Sequence, residues 1–192
     1  MLTKEIIFDT MFLTKKGRAK MLVYHGSKEL FTEFSYSRIG TNGTTEGQGF
    51  YFTDNLQVAK SYSEKDGYVY EVDFMGKKSL NSERIAMKRS EVKKVLLALH
   101  SENDILSNWD DVECYGLNKV LNMAIENIML CNSDVEIYGS LCNMNGGIED
   151  VAKTFNKVLG YDSIVVKADW ANQNIYIAMI PEIIRIVNVT QK

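Results

Sequence analysis

Proline is nearly absent: Pro181 is the only one in 192 residues. A chain so poor in proline carries no proline-rich linker or polyproline segment. Histidine is almost as scarce, with only His25 and His100. The three cysteines, Cys114, Cys131 and Cys142, form no C-x-x-C pair. That is too little for a disulfide framework or a metal-ligand pattern, and it suits a reducing, cytoplasmic setting. No run approaches ~18 apolar residues, so no membrane span is expected. The start, Met1-Leu2-Thr3-Lys4-Glu5, lacks the apolar stretch of a signal peptide. Basic charge is not in excess either: 22 Lys+Arg face 25 Asp+Glu, for a net charge of −3. That balance argues against nucleic acid as a constitutive partner. Two small basic clusters, Lys15-Lys16-Arg18-Lys20 and Lys88-Arg89-Lys93-Lys94, read as solvated surface.

What is present is an ordinary globular composition, 45% hydrophobic and 24% charged. The length suits one domain over residues 1–192. The most ordered stretch runs from Gly47 to Tyr62. Gly47 and Gly49 permit positive φ or a close approach to the backbone. Phe50, Tyr51, Phe52 and Thr53 are strand formers. Asp54 or Asn55 then caps a short helix in which Val58, Ser61 and Tyr62 share a face. Upstream, Met21-Leu22-Val23-Tyr24 is an apolar strand over residues 20–24 that delivers His25 at its end, ahead of Gly26 and Ser27. Residues 28–46 pass through Phe31, Phe34 and Tyr36 into a polar, Gly-rich run, which reads as a flexible loop and candidate lid.

Downstream, Tyr68–Phe74 alternates with period two, which predicts a half-exposed strand. Residues 80–160 change to helical spacing. Val92, Val95, Leu96 and Leu99 form one stripe, with Ser90 as candidate N-cap. Leu117, Val120, Leu121, Ala124 and Ile128 form a second. The third is Ile148, Val151, Ala152, Phe155, Val158 and Leu159, with Gly160 placed to stop it. Strands resume at 163–166, 175–180 and 183–187, with Pro181 at the bend between the last two.

The strand ending His25-Gly26-Ser27, then Gly47-Gln48-Gly49-Phe50-Tyr51-Phe52-Thr53-Asp54, then Tyr62 eleven residues after Tyr51, resembles the ADP-ribosyltransferase superfamily. The likeness is to its His-Tyr-Glu branch, which includes the poly(ADP-ribose) polymerases and diphtheria toxin. Phe31-Thr32-Glu33-Phe34 and Ser37-Arg38-Ile39-Gly40 are similar to a run in the small bacterial and phage members found in polyvalent proteins. The resemblance is firm over 21–74, faint over 155–188 and absent between. It implies an α+β fold, the split β-sandwich core of these transferases, with residues 80–160 as a helical insertion.

The resemblance also implies NAD+ as substrate, with no metal. His25 would bond a ribose hydroxyl and Gly26 would approach the nicotinamide amide. Tyr51 and Tyr62 would stack on the nicotinamide ring, and Gly49 would count with them among the NAD+-binding residues. Ser27 would meet the adenosine ribose, and Arg38 is a candidate partner for the pyrophosphate. Ala59 stands where many relatives carry a serine. The third catalytic position, a glutamate in most relatives, falls on Asn172-Gln173-Asn174-Ile175. Alignment on Tyr176 selects Ile175, and a slide of two residues selects Gln173. Gln173 is preferred, because a polar residue at a strand entrance facing a cleft needs a reason. Asn174 stays open, and Glu182 lies past the bend. The implied activity is mono-ADP-ribosylation of a macromolecular acceptor, a host protein ahead of a nucleic acid, by a phage or mobile-element protein. The alternatives are an NAD+ glycohydrolase, a catalytically silent NAD+- or ADP-ribose-binding module, and a purely structural domain.

Overall fold

The computed structural model describes residues 21–39, 46–107, 115–168 and 173–192. The basic run at 15–20, the Gly-rich segment 40–45 and Cys114 lie outside them. Among the described residues the strands are β1 (Met21–Ser27), β2 (Phe50–Thr53), β3 (Tyr68–Phe74), β4 (Ser79–Leu80), β5 (Ser163–Ala168), β6 (Gln173–Ala178) and β7 (Ile184–Gln191). Among the described residues the α-helices are α1 (Leu56–Tyr62), α2 (Arg89–Asn103), α3 (Leu117–Ile128), α4 (Asp134–Asn145) and α5 (Glu149–Leu159). The fold is α+β.

The strands form one sheet in the order β4-β5-β6-β2-β1-β3-β7. All ladders are antiparallel except β4 with β5. Seven Cα pairs join β1 to β3 and four join β2 to β6, but β1 and β2 share only Tyr24↔Thr53. Past that pair the two strands part. The sheet therefore has two halves joined at a pinch, β4-β5-β6-β2 and β1-β3-β7.

Ring contacts show that these halves fold face to face. Phe74 on β3 and Tyr176 on β6 have ring centroids 5.7 Å apart. On a flat sheet their strands would be three spacings, about 14 Å, apart. Phe52 on β2 likewise lies 5.9 Å from Phe74. The inner faces thus make a shared aromatic core, with Val23, Tyr70 and Val72 fully buried in it.

Several expectations need correction. β1 runs through Ser27, so His25 lies inside the strand, opposite Tyr70. It sits at an end only on the β2 side, where pairing stops at Tyr24. β3 is not half-exposed, because Val69 and Asp73 are buried on its second face. Its central position between β1 and β7 explains this, and Arg185 of β7 pairs with the Asp73 carboxylate. α2 begins at Arg89 after Lys88, so Ser90 lies in the first turn rather than at the cap. Lys88 N–H donates to the Glu91 carboxylate at 2.8 Å. His100 near the end of α2 has a side chain only 18% exposed, with Nδ1 3.2 Å from Asp104.

The three helical stripes face the core as read, but Ile148, Val158 and Leu159 are only partly buried and Leu117 is 37% exposed. α4 is an additional helix. Its capping signals are Ser133, which accepts from Glu136 N–H at 3.2 Å, and Gly146 at φ 70°. Its buried Asp134 accepts backbone N–H groups from Ala86 and Met87, both at 2.9 Å. This ties the helices to the loop after β4. At Gly47 a Cβ would lie 2.7 Å from Ile164 of β5 and 3.0 Å from Val135 of α4, so the helical block backs the glycine turn.

Candidate active site

The cleft forms where β1 and β2 part, and it measures about 560 Å³. One wall is β1 from Tyr24 to Ser27, and the other is the turn and strand from Gly49 to Thr53. Val58, Ala59 and Tyr62 of α1 form the end, and residues 28–39 lie over it. The spacing of the two sequence motifs is thereby explained, since each supplies one wall of a single opening.

His25 is held from both sides. Its Nδ1 lies 2.8 Å from the Tyr51 carbonyl oxygen. A carbonyl only accepts, so Nδ1 carries the proton. The ring packs among Phe34, Phe52, Phe31 and Tyr70, with centroids at 5.2, 5.7, 6.0 and 6.0 Å. Burial among these rings pushes the imidazole below its ordinary pKa, and the bond to Tyr51 only partly opposes that. Near neutral pH the ring is therefore uncharged, and Nε2 is left as a hydrogen-bond acceptor.

Tyr51 ties the glycine turn down. Its hydroxyl donates to the Gly47 carbonyl at 2.6 Å and accepts Glu46 N–H at 3.2 Å. Burial pushes the phenol up to about 12, so it stays protonated. Gly47 and Gly49 take φ of 130° and 153°. A Cβ on Gly49 would come within 2.5 Å of the Ala178 carbonyl oxygen, so that glycine also lets the turn lie against β6.

Gly26 has a packing duty. A Cβ there would fall 1.9 Å from the Ala59 carbonyl oxygen and 2.9 Å from Ser63 N, both at α1. Asn55 caps that helix by accepting Gln57 N–H at 3.0 Å and Val58 N–H at 3.4 Å. Asp54 is engaged elsewhere, accepting from Asn174 N and Nδ2 at 3.1 and 2.7 Å. Tyr62 is 55% exposed at the cleft rim. Ser27 Oγ accepts Glu29 N–H at 3.1 Å, and Arg38 forms an ion pair with Glu29 at the rim.

The three candidates for the third position part company. Ile175, opposite Thr53 on β6, lines the cleft. Asn174 is the residue tied to Asp54. Gln173 is 6% exposed, and its Oε1 accepts the Thr53 hydroxyl at 2.6 Å. It shares a strand face with Ile175, two residues away, but does not line the cleft. Glu182 sits in the turn after Pro181 and not in the cleft. Sequence reasoning passed over Thr53 and Glu46. Thr53 has a visible signal, a polar residue at the end of an aromatic strand; Glu46 enters only through its neighbour Tyr51.

The family model described as ADP-ribosyltransferase in polyvalent proteins matches residues 14–188. The chain belongs to this ADP-ribosyltransferase family. The match runs through the helical residues between the strands, where the motif resemblance had found nothing. No curated protein and no solved structure matches the chain. ADP-ribosyltransferases use NAD+ as substrate, and the cleft of this ADP-ribosyltransferase domain combines aromatic walls with polar and charged side chains. Among the described residues no group of three or more His, Cys, Asp or Glu is placed to hold a metal ion. None of the described helices is long and apolar enough to cross a membrane.

Proposed function

We propose that the domain transfers single ADP-ribose units from NAD+ to a macromolecular acceptor and releases nicotinamide. The observation that carries this reading is the fixed tautomer of His25 in the opening between β1 and β2. Its Nε2 accepts from a ribose hydroxyl, while the ring walls exclude water from one side of the sugar. Tyr62 supplies an exposed platform for nicotinamide, Tyr51 the facing wall, and Gly26 the close strand backbone. Ser27 lies toward the adenosine ribose. Arg38 exchanges its Glu29 partner for the pyrophosphate.

The C1′–N bond breaks with its electron pair leaving on nicotinamide, which becomes neutral. The acceptor's lone pair makes the new bond, and its proton passes to solvent or to a base on the target. Gln173, bonded to Thr53 just behind the cleft wall, is the polar group assigned to the third position, a role that Ile175 cannot fill. An amide accepts no proton near neutral pH, so growth of a chain on the first unit has no base to drive it. The acceptor is a host protein ahead of a nucleic acid, in keeping with the net charge of −3. The setting is a phage or mobile-element effector acting in the host cytoplasm.

The test is intact-mass analysis of host extract incubated with the protein and labelled NAD+. The expected outcome is one or more discrete single-unit additions, lost in His25→Ala with its fold checked by circular dichroism. Gln173→Ala should cut transfer by ~10²-fold. Polymeric product, or full transfer by His25→Ala, sinks the reading. One observation favours a second reading: β6 gives the cleft Ile175 rather than a carboxylate. A silent NAD+-binding module would bind NAD+ in calorimetry and modify nothing.

A further inference from the structure

We infer that Thr53 is a positioning residue that fixes which end of the Gln173 amide is offered to the reaction, an inference that rests on the role proposed for Gln173. Donors and acceptors decide the orientation. A threonine hydroxyl has one proton to give and two lone pairs. Thr53 Oγ1 accepts Asn55 N–H at 3.0 Å, which occupies one lone pair. Its own proton goes to Gln173 Oε1 at 2.6 Å. Both side chains are 6% exposed, so water is a poor substitute partner for either. Turning the amide over would make Thr53 accept twice and would strand its hydroxyl proton in a buried place. The relay Asn55 N–H to Thr53 to Gln173 therefore runs one way.

The consequence is chemical. With one lone pair of Oε1 taken by Thr53, Gln173 offers its NH2, two donors, and one remaining lone pair. In the role proposed for it the NH2 donates to a ribose oxygen, and an amide takes no proton from an acceptor near neutral pH. The same strand end is closed by a second bridge, Asn174 to Asp54, so the entrance of β6 is pinned to the exit of β2 twice. Thr53 touches no reacting atom in this account and acts through Gln173 alone.

A double-mutant cycle isolates that coupling. Thr53→Val keeps the shape and removes the hydroxyl. It should lower kcat by about tenfold, the scale of one lost orienting hydrogen bond, with KM for NAD+ little changed. Thr53→Ser should restore the wild-type rate. In the Gln173→Ala background, Thr53→Val should cost nothing further. An equal loss in both backgrounds, or no loss in either, overturns the inference. A second readout does not need turnover: the side-chain amide resonances of Gln173, assigned by their absence in Gln173→Ala, should shift in Thr53→Val and return in Thr53→Ser. Unshifted resonances overturn the inference even if the wild type transfers nothing, and that last result alone counts against the transferase reading instead.

Discussion

His25 shows how one residue acquires its chemistry from its neighbours. Burial among four rings lowers its pKa, so the folded protein resists protonation more than the unfolded chain does. As pH falls through the unfolded value of about 6.5, the unfolded state takes up protons first, and stability drops until the folded value is passed. Above that window the contribution is complete. Urea midpoints should therefore fall between pH 7 and pH 5, and His25→Gln should flatten that part of the slope. A slope unchanged by the substitution would assign the acid sensitivity to carboxylates. Tyr62 makes the opposite case. Being 55% exposed, it contributes little to the core, so Tyr62→Ala should leave the melting temperature nearly unchanged. The same variant should weaken NAD+ binding by ~1–3 kcal/mol in calorimetry, the range for a lost aromatic platform. Unaltered affinity removes Tyr62 from the site.

At the scale of elements, the docking of α1 on β1 decides the cleft. The helix comes so close that Gly26 has no room for a methyl group against Ala59 and Ser63. Gly26→Ala must push α1 away, at a cost at the upper end of ~1–3 kcal/mol or beyond. Because α1 carries Val58 and Tyr62 into the cleft, NAD+ affinity should fall together with the melting temperature. A stable variant with normal affinity would mean that α1 moves freely. The glycine was visible in the sequence, but its reason was not: the motif suggested room for a ligand, whereas the backbone of another element takes that room. The same limit applies elsewhere. The period of Tyr68–Phe74 gave its two faces, yet only the neighbouring strands and Arg185 show that both are covered. The amphipathic stripes of α2, α3 and α5 were legible because each buries one side. α4 was harder to see, since its buried Ile137, Tyr138, Leu141 and Cys142 are interrupted by Gly139. Gln173 was chosen by register, but its buried bond to Thr53, 120 residues away in sequence, was not legible.

For the whole molecule, one continuous core joins the aromatic interior of the sheet to the helical block. Heating should thus melt helix and sheet in one cooperative transition, with far-ultraviolet ellipticity and NAD+ binding lost together. Two separated transitions would show that residues 80–160 fold as a unit apart from the strands. The helical block backs the glycine turn through Val135, so its contribution to the site is mechanical support from behind. The single Cα pair between β1 and β2 has a further consequence. Backbone hydrogen bonds do not set the aperture of the cleft, because almost none span it there. The width is set by spacers on the inner faces, the rings of Phe52, Phe74 and Tyr176, which act as shims between two leaves. Changing the thickness of Phe74 or Tyr176 re-gauges the slot without touching a residue that lines it, which gives this fold a way to alter its fit to substrate from inside its own core.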